Sequence, residues 1–294
     1  MNEIRGTGVA LITPFDKDKN IDTPALIKLV NYVIDGGVDY LVVMGTTAEN
    51  PVLSNDEKKL VLETVIAANG NRKPIVFGIG GNHSTKVVEE IKTMNNYPDI
   101  VAFLSVTPYY NKPNQQGLYA HFEVLAQASK KPIILYNVPG RTGVNMLAST
   151  TLRIAHNFSN IVAIKEASGS IEQIMEIIEK KPDSFMVISG DDALTLPLIA
   201  VGVEGVISVV ANAIPKHFSN MVRWALSDNY KEAKNIHYQV LEFCRLAFAE
   251  GNPVGIKNAL AQLKIIQNEF RLPLVPASEA LSAKIYNWLN NNMV

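Results

Sequence analysis

Lys165 closes an apolar run, Ile161-Val162-Ala163-Ile164, and is followed by Glu166. Where such a run carries a lysine to an inner rim, desolvation disfavours the ammonium. The neutral amine can then attack a carbonyl to give a Schiff base, whose iminium draws electrons from the neighbouring carbon. The same position suits a lysine paired with Glu166 or turned to solvent. Tyr136 ends the preceding apolar run at a matching height, where its hydroxyl could pass a proton to that nitrogen or to a substrate oxygen. A core tyrosine with a satisfied hydroxyl is the other reading. Gly45-Thr46-Thr47 ends an earlier run. A chain turned at Gly45 presents hydroxyls and amides together, which suits a small carboxylate and equally suits a helix cap or hydroxyl turn. Arg141, in Pro139-Gly140-Arg141, can hold a second carboxylate in bidentate fashion or sit in a surface ion pair. Asp191-Asp192 ends another run just before a helical stretch, where capping is the expected role.

These residues need a scaffold that brings the ends of several runs to one rim. Eight short apolar runs, over 9–12, 40–44, 74–79, 100–107, 132–138, 161–167, 185–189 and 205–210, are bounded by Gly, Pro, Asn or Asp. They are continuously apolar, as parallel strands covered on both faces are. Between and after them, apolar residues at spacings of three and four predict helices over 23–35, 55–68, 85–95, 115–129, 145–156, 171–180, 193–201 and 215–226. Eight alternations predict an α/β fold, a closed (β/α)8 TIM barrel, over an open doubly wound sheet. The active site of a barrel gathers at the C-terminal ends of its strands, which is where Thr46, Thr47, Tyr136, Arg141 and Lys165 fall. Three further helical stretches, 230–248, 254–263 and 278–292, follow without a strand. The chain is therefore divided into a catalytic barrel over 1–227 and a C-terminal helical extension over 228–294.

Composition narrows the function. Lys and Arg total 27 against 28 Asp and Glu, so no basic excess exists to neutralise phosphates, and no nucleic-acid partner is expected. Gly78-Ile79-Gly80-Gly81 lacks the Gly-x-Gly-x-x-Gly spacing of a dinucleotide site. The five histidines, at 83, 121, 156, 217 and 237, make no pair three or four apart, and a single cysteine, Cys244, sits among apolar residues as a core thiol. No metal and no organic cofactor are expected. The N-terminus lacks a basic segment followed by an apolar run, and no apolar stretch reaches the roughly 18 residues of a membrane helix, so a cytoplasmic protein with no membrane partner is expected.

Five segments carry a resemblance: Gly45-Thr46-Thr47-Ala48-Glu49, Val106-Thr107-Pro108-Tyr109-Tyr110-Asn111-Lys112-Pro113, Tyr136-Asn137-Val138-Pro139-Gly140-Arg141-Thr142-Gly143, Ile164-Lys165-Glu166-Ala167 and Ser189-Gly190-Asp191-Asp192. In order and spacing they resemble the dihydrodipicolinate synthase family, within the N-acetylneuraminate lyase superfamily of class I aldolases. Asn252-Pro253 and Lys257 extend the likeness into the helical tail. The resemblance implies condensation of pyruvate with L-aspartate 4-semialdehyde on the diaminopimelate and lysine route. It implies Lys165 as the Schiff-base lysine and Tyr136 as general acid and base, linked through Thr46 to a Tyr110 that reaches across a dimer interface. It further implies Thr47 and the Thr46 amide on the pyruvate carboxylate, Arg141 on the carboxylate of the aldehyde, and Gly190 and the Ile207 main chain lining the pocket. A homotetramer built from dimers is implied as well.

The superfamily also holds N-acetylneuraminate lyases and 2-keto-3-deoxy sugar acid aldolases, which share the lysine and tyrosine. Thr46-Thr47, and Arg141 within Gly-Arg-Thr-Gly, favour the synthase. Ala48 replaces a commoner glycine and adds one methyl. A barrel that senses a keto acid without turnover is the reading from another class. Members inhibited by lysine place histidines and an acid where this chain reads Asn55, Lys58 and Lys86, while Asn82 and Tyr109 remain. Two added cations repel a cationic ligand, so weak or absent inhibition by free lysine is expected.

Overall fold

A computed structural model describes residues 2–292. Eight strands, β1 (Gly6–Ala10), β2 (Tyr40–Val43), β3 (Ile75–Gly78), β4 (Ile100–Val106), β5 (Ile133–Asn137), β6 (Ile161–Glu166), β7 (Met186–Ser189) and β8 (Gly205–Ser208), form the sheet. Each pairs in parallel with the next, and β8 returns to β1 to close the barrel. The helices between and after them are α1 (Thr23–Asp35), α2 (Asn55–Asn69), α3 (Ser84–Met94), α4 (Gln115–Ala128), α5 (Pro139–Thr142), α6 (Ala148–Asn157), α7 (Ile171–Lys180), α8 (Thr195–Ala200) and α9 (Pro215–Leu226). Three more, α10 (Tyr230–Phe248), α11 (Val254–Gln262) and α12 (Glu279–Asn292), follow the barrel. The (β/α)8 barrel with its helical C-terminal extension is the architecture expected from the run pattern. No described helix is long and apolar enough to cross a membrane.

The two-residue period of a strand sorts side chains between two cores. On β2, Tyr40 and Val42 fill the barrel interior while Leu41 and Val43 face the helices; on β5, Ile134 and Tyr136 point inward and Ile133 and Leu135 outward. Both faces are buried, which is why the strands read as continuous apolar runs. Tyr40 is large for the interior. A Cβ at Gly8, opposite it on β1, would collide with the Tyr40 ring, so only glycine fits there.

That packing explains one displaced boundary. The first strand was expected over 9–12 but begins at Gly6, because Gly6-Thr7-Gly8 carries little apolar signal and yet pairs with β8. The helix expected over 145–156 starts at Ala148, since Asn145 instead donates to Gln173 and accepts from Asn137. The segment after β5 makes a single turn, α5, ended by Gly143 at φ 72°, a left-handed conformation glycine adopts without strain. After β8 the chain enters one 3₁₀ turn, Val210–Asn212, so Val210 lies outside the strand.

The extension is docked on the barrel. The buried residues of α10, among them Ala233, His237, Val240, Cys244 and Ala247, recur at helical spacing, and α10 lies along α9. Phe243 stacks on Trp288 of α12 with centroids 4.6 Å apart. Cys244 is buried as expected, and burial pushes its thiol far above the usual range. Beyond α11, Arg271 donates to the Val52 carbonyl at 3.0 Å and grips Glu57, whose carboxyl it holds well below the usual carboxylate range. Glu57 also completes a capping box with Ser54 at the start of α2. The extension thus reaches the loop that follows β2.

Candidate active site

At the C-terminal ends of the strands the barrel opens into a cavity of about 730 Å³. Tyr136 and Lys165 enter it as neighbours, because β5 and β6 pair them in register and both occupy inward positions. Lys165 is only 6% exposed, and its Nζ lies 4.3 Å from the centre of the Tyr136 ring. The alternative partner, Glu166, points the other way. One residue further along β6, it faces the helices, where its carboxylate accepts from Asn137 Nδ2 at 2.8 Å and from Gln173 Nε2 at 3.3 Å. Burial pushes the Glu166 carboxyl up, against these hydrogen bonds. Asn137 also takes the Met146 amide at 3.0 Å, so the network ties β5, β6 and the Arg141 loop together.

Gly190 leaves the room that Lys165 occupies. A Cβ there would come within 3.0 Å of Lys165 Cε and 2.7 Å of Ala167 Cβ. Of the two aspartates that follow, Asp191 caps the next turn as expected, accepting from the Ala193 and Leu194 amides. Asp192 does something else. Fully buried, it accepts from the Val209 and Val210 amides at 3.0 and 3.1 Å and so fixes the turn after β8, with burial pushing its carboxyl up to about 6.

Thr46 and Thr47 begin one 3₁₀ turn, Thr46–Ala48, that rises from β2 after an extended Gly45. Thr46 is exposed to the cavity, while Thr47 is buried and its Oγ1 accepts from Asn252 Nδ2 at 2.9 Å. Gly78, on the adjacent strand, lets this turn close, since a Cβ there would strike the Met44 carbonyl. The glycine-rich end of β3 is therefore a packing device. Arg141 projects into the cavity from α5 and is exposed.

Two expected residues stand apart from these. Ile207 lies on β8 with its side chain in the barrel interior, below the cavity lining. Tyr110 is 88% exposed, with a left-handed backbone at φ 73° held by its amide to the Thr142 carbonyl at 3.4 Å, and is not among the residues that line its own cavity. Reading the strand ends alone misses the contribution of the extension. Cys244, Arg245, Phe248 and Asn252 all line the cavity, and the only sequence signal for this is the Asn252-Pro253 pair.

The profile of the Dihydrodipicolinate synthetase family matches residues 3–292. The chain belongs to this family. The 4-hydroxy-tetrahydrodipicolinate synthase of Flavobacterium psychrophilum is 53% identical over 285 residues, covering 97% of each chain. Among solved members of the family, the dihydrodipicolinate synthase of Thermotoga maritima superposes with a TM-score of 0.96 at 37% identity, covering 99% of both chains. The chloride-inhibited dihydrodipicolinate synthase of Acinetobacter baumannii, solved with pyruvate, gives the same TM-score, identity and coverage. Agreement over essentially the whole length places the extension, as well as the barrel, within the family's architecture.

Proposed function

We propose that this chain condenses pyruvate with L-aspartate 4-semialdehyde to 4-hydroxy-tetrahydrodipicolinate, on the diaminopimelate and lysine route, with no metal or organic cofactor. The observation that carries the reading is the side-by-side entry of Tyr136 and Lys165 into one cavity, with Nζ 4.3 Å from the ring and Gly190 clearing space for the lysine. In this reading Lys165 attacks the pyruvate carbonyl, water leaves, and a Schiff base forms. Loss of a methyl proton gives an enamine that attacks the aldehyde, and attack of the second substrate's own amine on the iminium carbon frees the lysine. Tyr136, with Thr46 and the Tyr110 of a neighbouring copy, moves the protons. Thr47 and the Thr46 amide hold the pyruvate carboxylate, Arg141 receives the carboxylate of the aldehyde, and Gly190 with the Ile207 main chain borders the pocket.

The exposure of Tyr110 supports its use by a second subunit, and we propose a homotetramer built from dimers, working in the cytoplasm. We assign residues 1–227 to the catalytic barrel and 228–294 to the helical extension.

Borohydride reduction in the presence of pyruvate, followed by peptide mass spectrometry, should find one adduct, on Lys165. An adduct on another lysine, or none in an active preparation, overturns the assignment. A coupled assay with aspartate semialdehyde should show turnover, and activity only towards N-acetylneuraminate or a keto-deoxy sugar acid would replace the synthase reading.

A further inference from the structure

Asn252 and Lys257 belong to the extension, and neither has a role in the reaction proposed above. Both reach the turn that carries Thr46 and Thr47. Lys257 Nζ donates to Glu49 Oε1 at 2.6 Å with both side chains out of solvent, and the ammonium lies 4.4 and 4.5 Å from the ring centres of Phe15 and Phe270. Glu49 immediately follows Thr46–Ala48 and has a left-handed backbone at φ 56°. Thr13 Oγ1 donates to the Ala48 carbonyl at 2.7 Å, and Asn50 Nδ2 to the Met44 carbonyl at 3.0 Å, so the turn is held from three sides.

A buried ion pair is a poor way to add stability, because apolar side chains of the same volume often do as well. Its value lies in fixing one geometry. A left-handed glutamate is a conformation that surrounding structure must impose, and here the imposing contact comes from a helix that follows the barrel.

Asn252 adds a chemical detail. A threonine hydroxyl has one proton to give and lone pairs to receive. Asn252 Nδ2 donates to Thr47 Oγ1, so it occupies a lone pair and leaves the hydroxyl proton free for a ligand oxygen. The carboxylate of a small keto acid, an acceptor only, matches that polarity.

We propose that Glu49, Lys257 and Asn252 form a clasp by which the C-terminal extension positions the Thr46-Thr47 turn and aims the Thr47 hydroxyl at the carboxylate of pyruvate. These are positioning residues. The inference rests on the function proposed above and adds to it a reason why the extension is required for binding the first substrate in particular.

The test uses the intact oligomeric enzyme. Asn252→Asp keeps the shape but accepts where asparagine donates, so it draws the Thr47 proton away from the ligand. Lys257→Met alone strands the Glu49 charge, and Glu49→Gln/Lys257→Met removes both charges together, so one form stays foldable. Each variant is assayed with either substrate varied, alongside borohydride trapping with pyruvate alone and thermal melting. The expected result is a rise of tenfold or more in the KM for pyruvate for Asn252→Asp and for the double variant, with the KM for aspartate semialdehyde changed less than twofold and a cooperative melting transition retained in both. Equal shifts in both KM values, or a lower kcat with unchanged KM for pyruvate, would reduce the clasp to a structural support and overturn the inference. Failure of the parent enzyme to trap pyruvate would overturn the proposed reaction, and the clasp's role with it. Normal trapping in the parent with unchanged pyruvate dependence in the variants overturns the clasp alone.

Discussion

Two glutamates flank the cavity, each next to residues that face it, and the chain buries them by different means. Glu166 follows Lys165 on β6 and is satisfied by neutral donors, Asn137 and Gln173, at most 29 residues away. Glu49 follows the Thr46-Thr47 turn and is paired through Oε1 with a buried ammonium 208 residues away, while its buried Oε2 has no hydrogen-bond partner. The β5–β6 side of the site is thus built by consecutive strand and helix units of the barrel, whereas the β2 side is completed only when the C-terminal extension docks. A carboxylate held by amides tolerates protonation, because amides can still pair with a neutral acid. One held by an ammonium in an apolar box does not, because the partner is left charged and dry.

The largest expected effect follows from that difference. Glu49→Ala leaves Lys257 buried and unpaired and should lower unfolding stability by about 3–5 kcal/mol. The Glu49→Gln/Lys257→Met chain should lose less, about 1–3 kcal/mol, since it strands a buried amide but no charge. Denaturant unfolding measures both, and equal losses would erase the contrast.

Glu166→Ala should cost less than Glu49→Ala, about 1–3 kcal/mol, because it strands buried amide donors and no charge. Its pH signature sharpens the point. Burial raises the Glu166 carboxyl above its unfolded value, so the folded state holds the proton more tightly. That contribution is fully present below the unfolded value and is lost as pH rises through the folded one. Glu166→Gln keeps the hydrogen-bonding shape without titrating. Its stability relative to the parent should therefore improve as pH rises from about 4 towards neutral, and a constant difference across that range would contradict the buried-acid account.

On the cavity side of the same network, Arg141 is exposed and donates to nothing that holds the fold. Arg141→Ala should leave stability within about 0.5 kcal/mol of the parent. It should raise the KM for aspartate semialdehyde well beyond any change for pyruvate, as steady-state assays would reveal. Paired with the clasp variants, it gives opposite substrate selectivities from opposite sides of one cavity.

How much of this is legible in the sequence depends on the range of the interaction. Continuous apolar runs reveal seven of the strands well, because burial on both faces leaves that trace. β1 is displaced because its start, Gly6-Thr7-Gly8, is dictated by the adjacent β2 segment, where the Asp39 carboxyl fills the space at Gly6 and the Tyr40 ring that at Gly8. The inward positions of Tyr136 and Lys165 follow from strand period and order, and so does the identity of the rim. The need for glycine at 190 is invisible without the lysine side chain that fills the space. The contacts of Asn252 with Thr47 and of Lys257 with Glu49 span more than 200 residues, and no periodicity encodes them. Glu49 and Glu166 look alike as letters and differ only through partners that the fold brings up.

The smallest expected effect concerns free lysine, on the β2 side where the clasp ends. Lys58, one turn into α2, lines the cavity, and Lys86 is exposed near the start of α3. The structure adds Glu90, one turn further along α3, whose carboxyl is raised by burial and pulled back by Lys58. Glu90 offsets the Lys58 charge in part and leaves Lys86 as an added cation. An ammonium about 4 Å from a like charge meets roughly 1–4 kcal/mol of repulsion, depending on the local dielectric, and the lower figure already weakens binding several-fold. Lysine titrated into the coupled assay at saturating pyruvate should therefore leave the rate nearly unchanged at sub-millimolar concentrations. Lys58→His/Lys86→Glu should become measurably more sensitive, because it restores an acid and removes a fixed charge. Strong inhibition of the parent enzyme would mean that Glu90, or an anion from a neighbouring copy, supplies the contact these lysines are expected to deny.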